Sequence, residues 1–253
     1  MSKQAGTVLW LLAHQDDEVL ALHQILMNSA NMNVVVYLTD GVKHNASFTS
    51  TDREQEALRS WKRLQADAQV YFLGVKHGIR DGQLGGLLSK PLLIEIAELV
   101  LAFNPDKIIT LALEGGHQDH DTTNLIAGCI GKTYEIPVHT YPAYRANPVF
   151  KKLYFVMKPL NRTSPELAVS PKSRIKLAIE AINLMKIYST QKITWLGLGP
   201  SVVIKYCFRK LYLLDNYIAV KNKPTHRLYV NRKRSSELPY AELENQVLTW
   251  LNA

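Results

Sequence analysis

Two short stretches have the residue types and spacing to do chemistry. One is His14-Gln15-Asp16-Asp17-Glu18; the other is His117-Gln118-Asp119-His120. Neutral imidazoles and a carboxylate are ligands for a divalent cation, and a catalytic zinc keeps one position open beside three protein ligands. His14, Asp17 and His120 make such a set. Asp16, beside Asp17, can act as a base toward water at the cation. His117 lies one short turn from His120 and can face the same cavity, while Asp119 can orient an imidazole. Neither stretch is distinctive alone. Acidic residues at 16–18 also suit a helix N-terminus, and Asp121 suits an N-cap. The weight comes from both stretches following predicted strands.

Those strands come from hydrophobic patterning. Thr7–Ala13 is a continuous apolar run, as expected of a buried parallel strand. Asn33–Leu38 is rich in β-branched residues and ends in the turn Thr39-Asp40-Gly41. Gln69–Leu73, Lys107–Leu111 and Val138–Tyr141 complete five predicted strands. Helices are expected over Glu18–Met27, Asp52–Ala66, Lys90–Phe103 and Asp121–Ile130. This alternation predicts an α/β, Rossmann-like, mainly parallel sheet with helices on both faces. Ligands of such sheets bind at the carboxyl ends of the strands, where both stretches fall. Beyond about residue 145 the alternation fades. A helix is expected over Pro171–Tyr188, a break at Leu196-Gly197-Leu198-Gly199-Pro200, a late strand at Leu228–Val230 and a terminal helix at Ala241–Leu251. We read 1–253 as one domain, with a core over 1–145 and an extension over 146–253 that completes the site.

The chain has 253 residues, 47% hydrophobic and 21% charged, which excludes a disordered chain or a disulfide scaffold. Its two cysteines are far apart and form no CxxC, as in a reducing compartment. No secretory signal and no membrane span are expected, and the default address is the cytoplasm. The net charge of +8 is divided unevenly. Residues 1–125 hold 10 Lys+Arg against 15 Asp+Glu, and residues 126–253 hold 20 against 7. An acidic N-terminal half suits a cation site, and a basic C-terminal half suits a phosphate-bearing substrate or an anionic surface. Trp195–Leu214 is apolar with Lys205, Arg209 and Lys210 interspersed, a pattern open to peripheral membrane contact or to burial. Arg232-Lys233-Arg234 lies in no nucleic-acid module, so no nucleic acid is expected as a partner.

Ala13-His14-Gln15-Asp16-Asp17-Glu18 resembles the (P/A)HPDDE signature of the PIG-L/LmbE-like metal-dependent N-deacetylases. Gly116 to His120 is similar to their HPDH signature, with Gln15 and Gln118 in place of the usual prolines. Leu38-Thr39-Asp40-Gly41, Arg53 to Ala57, Asp81-Gly82-Gln83-Leu84 and the helix running to Gln191 match further motifs in order. The last 60 or so residues are not covered. The resemblance implies hydrolysis of an N-acetyl group on an amino sugar or its conjugate. It implies Zn²⁺, with Fe²⁺ open, on His14, Asp17 and His120, Asp16 as general base, and His117 as a cation stabilising the oxyanion or protonating the amine. Arg53 and Asp81 would bind substrate. An Arg53–Glu56 ion pair on a helix surface and a plain Asp81-Gly82 turn are the competing readings. Three other functions stay open on the residues: a metal-keeping sugar-binding module, a hydrolase of non-sugar amides, and a non-haem iron oxygenase. The expected partner is a small-molecule or glycoconjugate substrate, and the oligomeric state is unassigned.

Overall fold

The computed structural model describes residues 6–115, 117–146, 154–158, 165–216 and 240–252. In chain order the elements begin β1 (Thr7–Leu12), α1 (Asp17–Met27), β2 (Met32–Tyr37), α2 (Ser50–Arg63) and β3 (Ala68–Phe72). Two single-turn helices follow, α3 (Leu73–Lys76) and α4 (Leu84–Leu87), then α5 (Lys90–Phe103), β4 (Lys107–Leu111), α6 (Gln118–Thr133) and β5 (Val138–Tyr141). The remainder comprises β6 (Tyr144–Ala146), β7 (Tyr154–Val156), β8 (Glu166–Leu167), α7 (Pro171–Ile187), a 3₁₀ turn (Ser189–Gln191), α8 (Lys192–Phe208), β9 (Leu211–Tyr212), β10 (Asp215–Asn216) and α9 (Tyr240–Leu251). The expected late strand at Leu228–Val230 lies outside the described residues.

Five strands pair in parallel in the order β5-β4-β1-β2-β3, and β10 adds antiparallel to β5. The expected α/β architecture is therefore present. β1 is apolar throughout because both its faces are covered. Val8, Trp10 and Leu12 pack in the core shared with α1, α7 and α8, whereas Leu9 packs in the core shared with α5, α6 and α9. Strand order reverses between β1 and β4, and the crevice beyond their carboxyl ends is where such sheets hold ligands. The chain leaves β1 into His14–Asp17, and leaves β4 toward His117–His120.

Two expectations are corrected. α6 begins at Gln118, three residues earlier than the Asp121 start expected from sequence. Its N-cap is His117, whose ring accepts from the Asp119 amide, so His120 rides on the first helical turn. Asp121 instead accepts from the amides of Glu114 and Gly115 and ties down the β4–α6 loop. The second correction is the expected break at 196–200, which is the interior of α8. Gly199 faces Met185 of α7, where a methyl group would crowd the sulfur. Pro200 is on the exposed side, where the carbonyl its missing N–H leaves unpaired is open to solvent. Packing of α8 along α7 outweighs local helix propensity.

Gly74 marks a close approach. A Cβ there would collide with the backbone of Thr39, whose hydroxyl donates to the Ala13 carbonyl at 2.7 Å. Gly74→Ala is expected to cost about 1–3 kcal/mol through overpacking, lowering Tm by about 3–10 °C in thermal unfolding. An unchanged Tm would mean that the Thr39 loop yields freely.

Candidate active site

β1 delivers His14 and Asp17 through a tight turn. Asp17 Oδ2 accepts from the amides of Ala13 at 3.0 Å and His14 at 2.8 Å. That fixes the carboxyl plane and leaves Oδ1 facing His120 Nε2 at 3.2 Å. His14 Nδ1 lies 3.2 Å from the same His120 nitrogen and 3.9 Å from Asp17 Oδ2. All three side chains are buried. Tetrahedral zinc with bonds near 2.0–2.1 Å keeps its ligand atoms about 3.3 Å apart, which His120 Nε2 meets toward both His14 and Asp17, while His14 and Asp17 stand further from each other.

The other nitrogen of His14 is equally committed. Nε2 lies 3.0 Å from Asp119 Oδ2 and 3.5 Å from Asp81 Oδ1. Asp119 also accepts from the amides of Gly82 and Leu84, clamping the Asp81 loop against α6. A carboxylate on the far side of an imidazole fixes its tautomer and raises its basicity. Burial alone would lower the His14 pKa, but Asp81, Asp119 and Asp17 hold it well above the ordinary value. Asp17 shows the reverse balance, its carboxyl held far below the usual range by His120 and His14 against the effect of burial. Two groupings of possible ligand atoms within 4.8 Å of one another meet at this histidine: His14, His117 and His120, and His14, Asp81, His117 and Asp119, so His117 joins where the sequence expected Asp17.

Asp16 lines the cavity beside this cluster. Its backbone sits at φ 136°, a strained conformation for a residue with a side chain. Neighbours enforce it. Glu18 Oε2 accepts from the Asp16 amide at 3.2 Å, and Arg53 Nη2 donates to the Gln15 carbonyl and lies 3.5 Å from Asp16 Oδ1. Burial raises the Asp16 pKa to about 7, with Arg53 opposing and Asp17 reinforcing the rise. His117 Nδ1 accepts from the Asp119 amide at 3.3 Å, so the neutral ring carries its proton on Nε2, 3.4 Å from Asp81 Oδ1. Burial lowers its pKa to about 4 despite Asp81. The resting ring is thus a neutral donor.

Arg53 is only 1% exposed. α2 starts with a capping box in which Thr49 and Asp52 exchange hydrogen bonds, and this sets the helix so that Arg53 points inward. Its Nη1 donates to Glu56 Oε2 and Thr190 Oγ1, both at 3.1 Å. Glu56 accepts further from Ser189 Oγ at 3.0 Å and the Thr190 amide at 2.9 Å. The pair is a buried knot rather than a helix-surface bridge. The expected substitute for proline, Gln15, donates to the Thr39 carbonyl at 3.0 Å and joins the first two strand ends.

The cavity measures about 320 Å³. Lys43, Asp81, His117, Tyr144, Gln191, Thr194 and Gly197 contribute to its walls. Sequence reasoning missed the Glu18 cluster, in which Tyr37 at 3.0 Å and Tyr188 both donate to the carboxylate and Trp61 donates to Tyr37. The acidic residue in the first stretch was its one visible sign. Tyr144, edge-on to His120 at 5.2 Å between ring centres, lines the cavity, whereas Tyr141 is core. His77 stands elsewhere, 3.1 Å from Glu95.

Residues 9–128 match the model of the family PIG-L, described as GlcNAc-PI de-N-acetylase. Over that stretch the chain is similar to the PIG-L family. No curated protein matches the chain significantly. Among solved structures, the zinc-inhibited form of teicoplanin deacetylase Orf2 is 12% identical, with a TM-score of 0.57 over 84% of this chain and 99% of that one. A deacetylase–teicoplanin complex is 14% identical, with a TM-score of 0.54 over 82% and 96%. A conserved protein from Thermus thermophilus is 15% identical, with a TM-score of 0.52 over 80% and 85%. These likenesses show that the chain shares its fold with those proteins, over the elements after residue 128 as well as before it.

Proposed function

We propose that the chain is a metal-dependent hydrolase that removes an N-acetyl group from an amino sugar or sugar conjugate. The observation that carries this reading is the convergence of His14 and Asp17 on His120 Nε2, each at 3.2 Å, beside a cavity lined by His14, Asp16 and His117. The de-N-acetylase description of the family and the deacetylase titles of the structural neighbours support the amide class. Zn²⁺ suits the donors best, with Fe²⁺ the alternative.

A divalent cation bound there supplies a Lewis acid and makes water acidic enough to attack at neutral pH. Asp16 takes the proton of the attacking water and returns it to the amide nitrogen as the C–N bond breaks, releasing acetate and the free amine. Arg53 and the Glu18 carboxylate hold the strained Asp16 backbone so that this carboxyl faces the cavity. His117 donates a hydrogen bond through Nε2–H to the oxygen that gains charge. Asp81 lies between His14 and His117 in the cavity lining, with Lys43 Nζ 4.0 Å away. We assign this pair to the polar end of the substrate.

The test is amine release from N-acetylated sugars, free, nucleotide-linked and lipid-linked. Activity is expected to vanish with chelator and to return with one equivalent of metal, Zn²⁺ and Fe²⁺ being compared. Chelator-resistant release would overturn the metal role. One bound cation per chain without release from any member would favour the metal-keeping binding module.

A further inference from the structure

α8 is apolar on two opposite faces. One face, with Trp195, Val202 and Tyr206, is buried against the fold. Diametrically across the helix run Ile193, Leu196, Pro200, Ile204 and Phe208, at steps of three and four residues. Ile193 is 87% exposed, Leu196 78% and Phe208 84%. A helix on a water-facing surface normally carries polar residues there. A contiguous apolar ridge instead marks an interaction surface.

Its flanks identify the partner. The hollow on the α7 side is lined by Ile182, Met185 and Trp195 and carries Lys186 and Lys192. The hollow on the other side carries Lys158, Arg209 and Lys210. All five cations are exposed, and Lys210 pairs with Glu166. Among the described residues no carboxylate lines either hollow. A second copy of the chain would set these cations against one another. An anionic surface would neutralise them while taking up the ridge. Among the described residues no helix is long and apolar enough to cross a membrane, so contact would be from one side.

We infer that the outer face of α8 docks onto an anionic lipid bilayer, with Ile193, Leu196, Ile204 and Phe208 entering the headgroup boundary and the flanking lysines and Arg209 meeting lipid phosphates. Ile193 also lines the cavity beside Thr194 and Gly197. Docking therefore places the cavity mouth at the lipid surface. The inference does not depend on the proposed hydrolysis.

The experiment is sedimentation of the full chain with vesicles of phosphatidylcholine, alone or mixed with phosphatidylserine, without substrate. The double variant Leu196→Ser, Phe208→Ser alters only exposed side chains, and its thermal unfolding should match the parent. The parent is expected to bind the phosphatidylserine vesicles in preference, to lose binding as salt rises, and to weaken about a hundredfold in the double variant, which loses the burial of two large side chains. No binding to either vesicle, equal binding to both, or binding unaffected by the double substitution would overturn the inference. So would concentration-dependent self-association of the parent that the double variant abolishes, which would assign the ridge to a second copy.

Discussion

Asp16→Asn is expected to lower kcat about 10²–10⁴-fold while one divalent cation still binds per chain. The amide keeps the size of the carboxyl, and the three proposed ligand atoms belong to other side chains. What it loses is the ability to accept a proton. The same carboxyl should shape the pH profile. Its pKa is raised to about 7 by burial, opposed by Arg53, and a bound cation pulls it lower. The base works only when deprotonated, so kcat/KM of the parent should fall as pH drops through about 7 or below. The variant should lose that acid limb. Metal content by elemental analysis and a pH–rate series decide it. A variant as active as the parent would remove Asp16 from the base role.

Arg53→Ala is the substitution with the largest expected effect on the fold around the site. Arg53 is buried and linked to Glu56, Thr190, Gln15 and Asp16. Removing one partner of this buried, hydrogen-bonded pair costs about 3–5 kcal/mol. It also frees the Gln15 carbonyl and relaxes the strained Asp16 backbone. Denaturant unfolding should show the loss, and kcat should fall with little change in KM. Pairing Arg53→Met with Glu56→Met should recover stability without recovering kcat. A raised KM with intact kcat and stability would instead restore Arg53 as a substrate contact.

Parallel strands buried on both faces write long apolar runs, so β1, β4 and β5 were legible, and polar residues at their ends stood out. His14, Asp17 and His120 could be read as partners because strand order brings the ends of β1 and β4 together. Other features depend on tertiary contacts that spacing does not encode. His117 caps α6 with a ring nitrogen, an unusual N-cap, so residue pattern alone predicts the helix start three residues too late. Gly199 and Pro200 look like a break until α7 is seen beside them. The burial of Arg53 depends on Thr190, and the partner of Glu18 is Tyr188. In both cases the contacting residue lies well over a hundred positions along the chain.

That separation gives the site a schedule. Residues 7–141 contain all five parallel strands, so the sheet and the cation ligands can assemble once that stretch is made. The clasp behind Asp16 cannot. Tyr188 must reach Glu18, and Thr190 must reach Glu56 and Arg53, across 170, 134 and 137 positions. Closing contacts of such range is slow. At the usual pace of about 5–20 residues per second, some seconds of synthesis separate the last parallel strand from the arrival of Tyr188. On the proposed function, a nascent chain would hold its cation pocket before the clasp that sets Asp16, and hydrolytic competence would come as one of the last acts of folding.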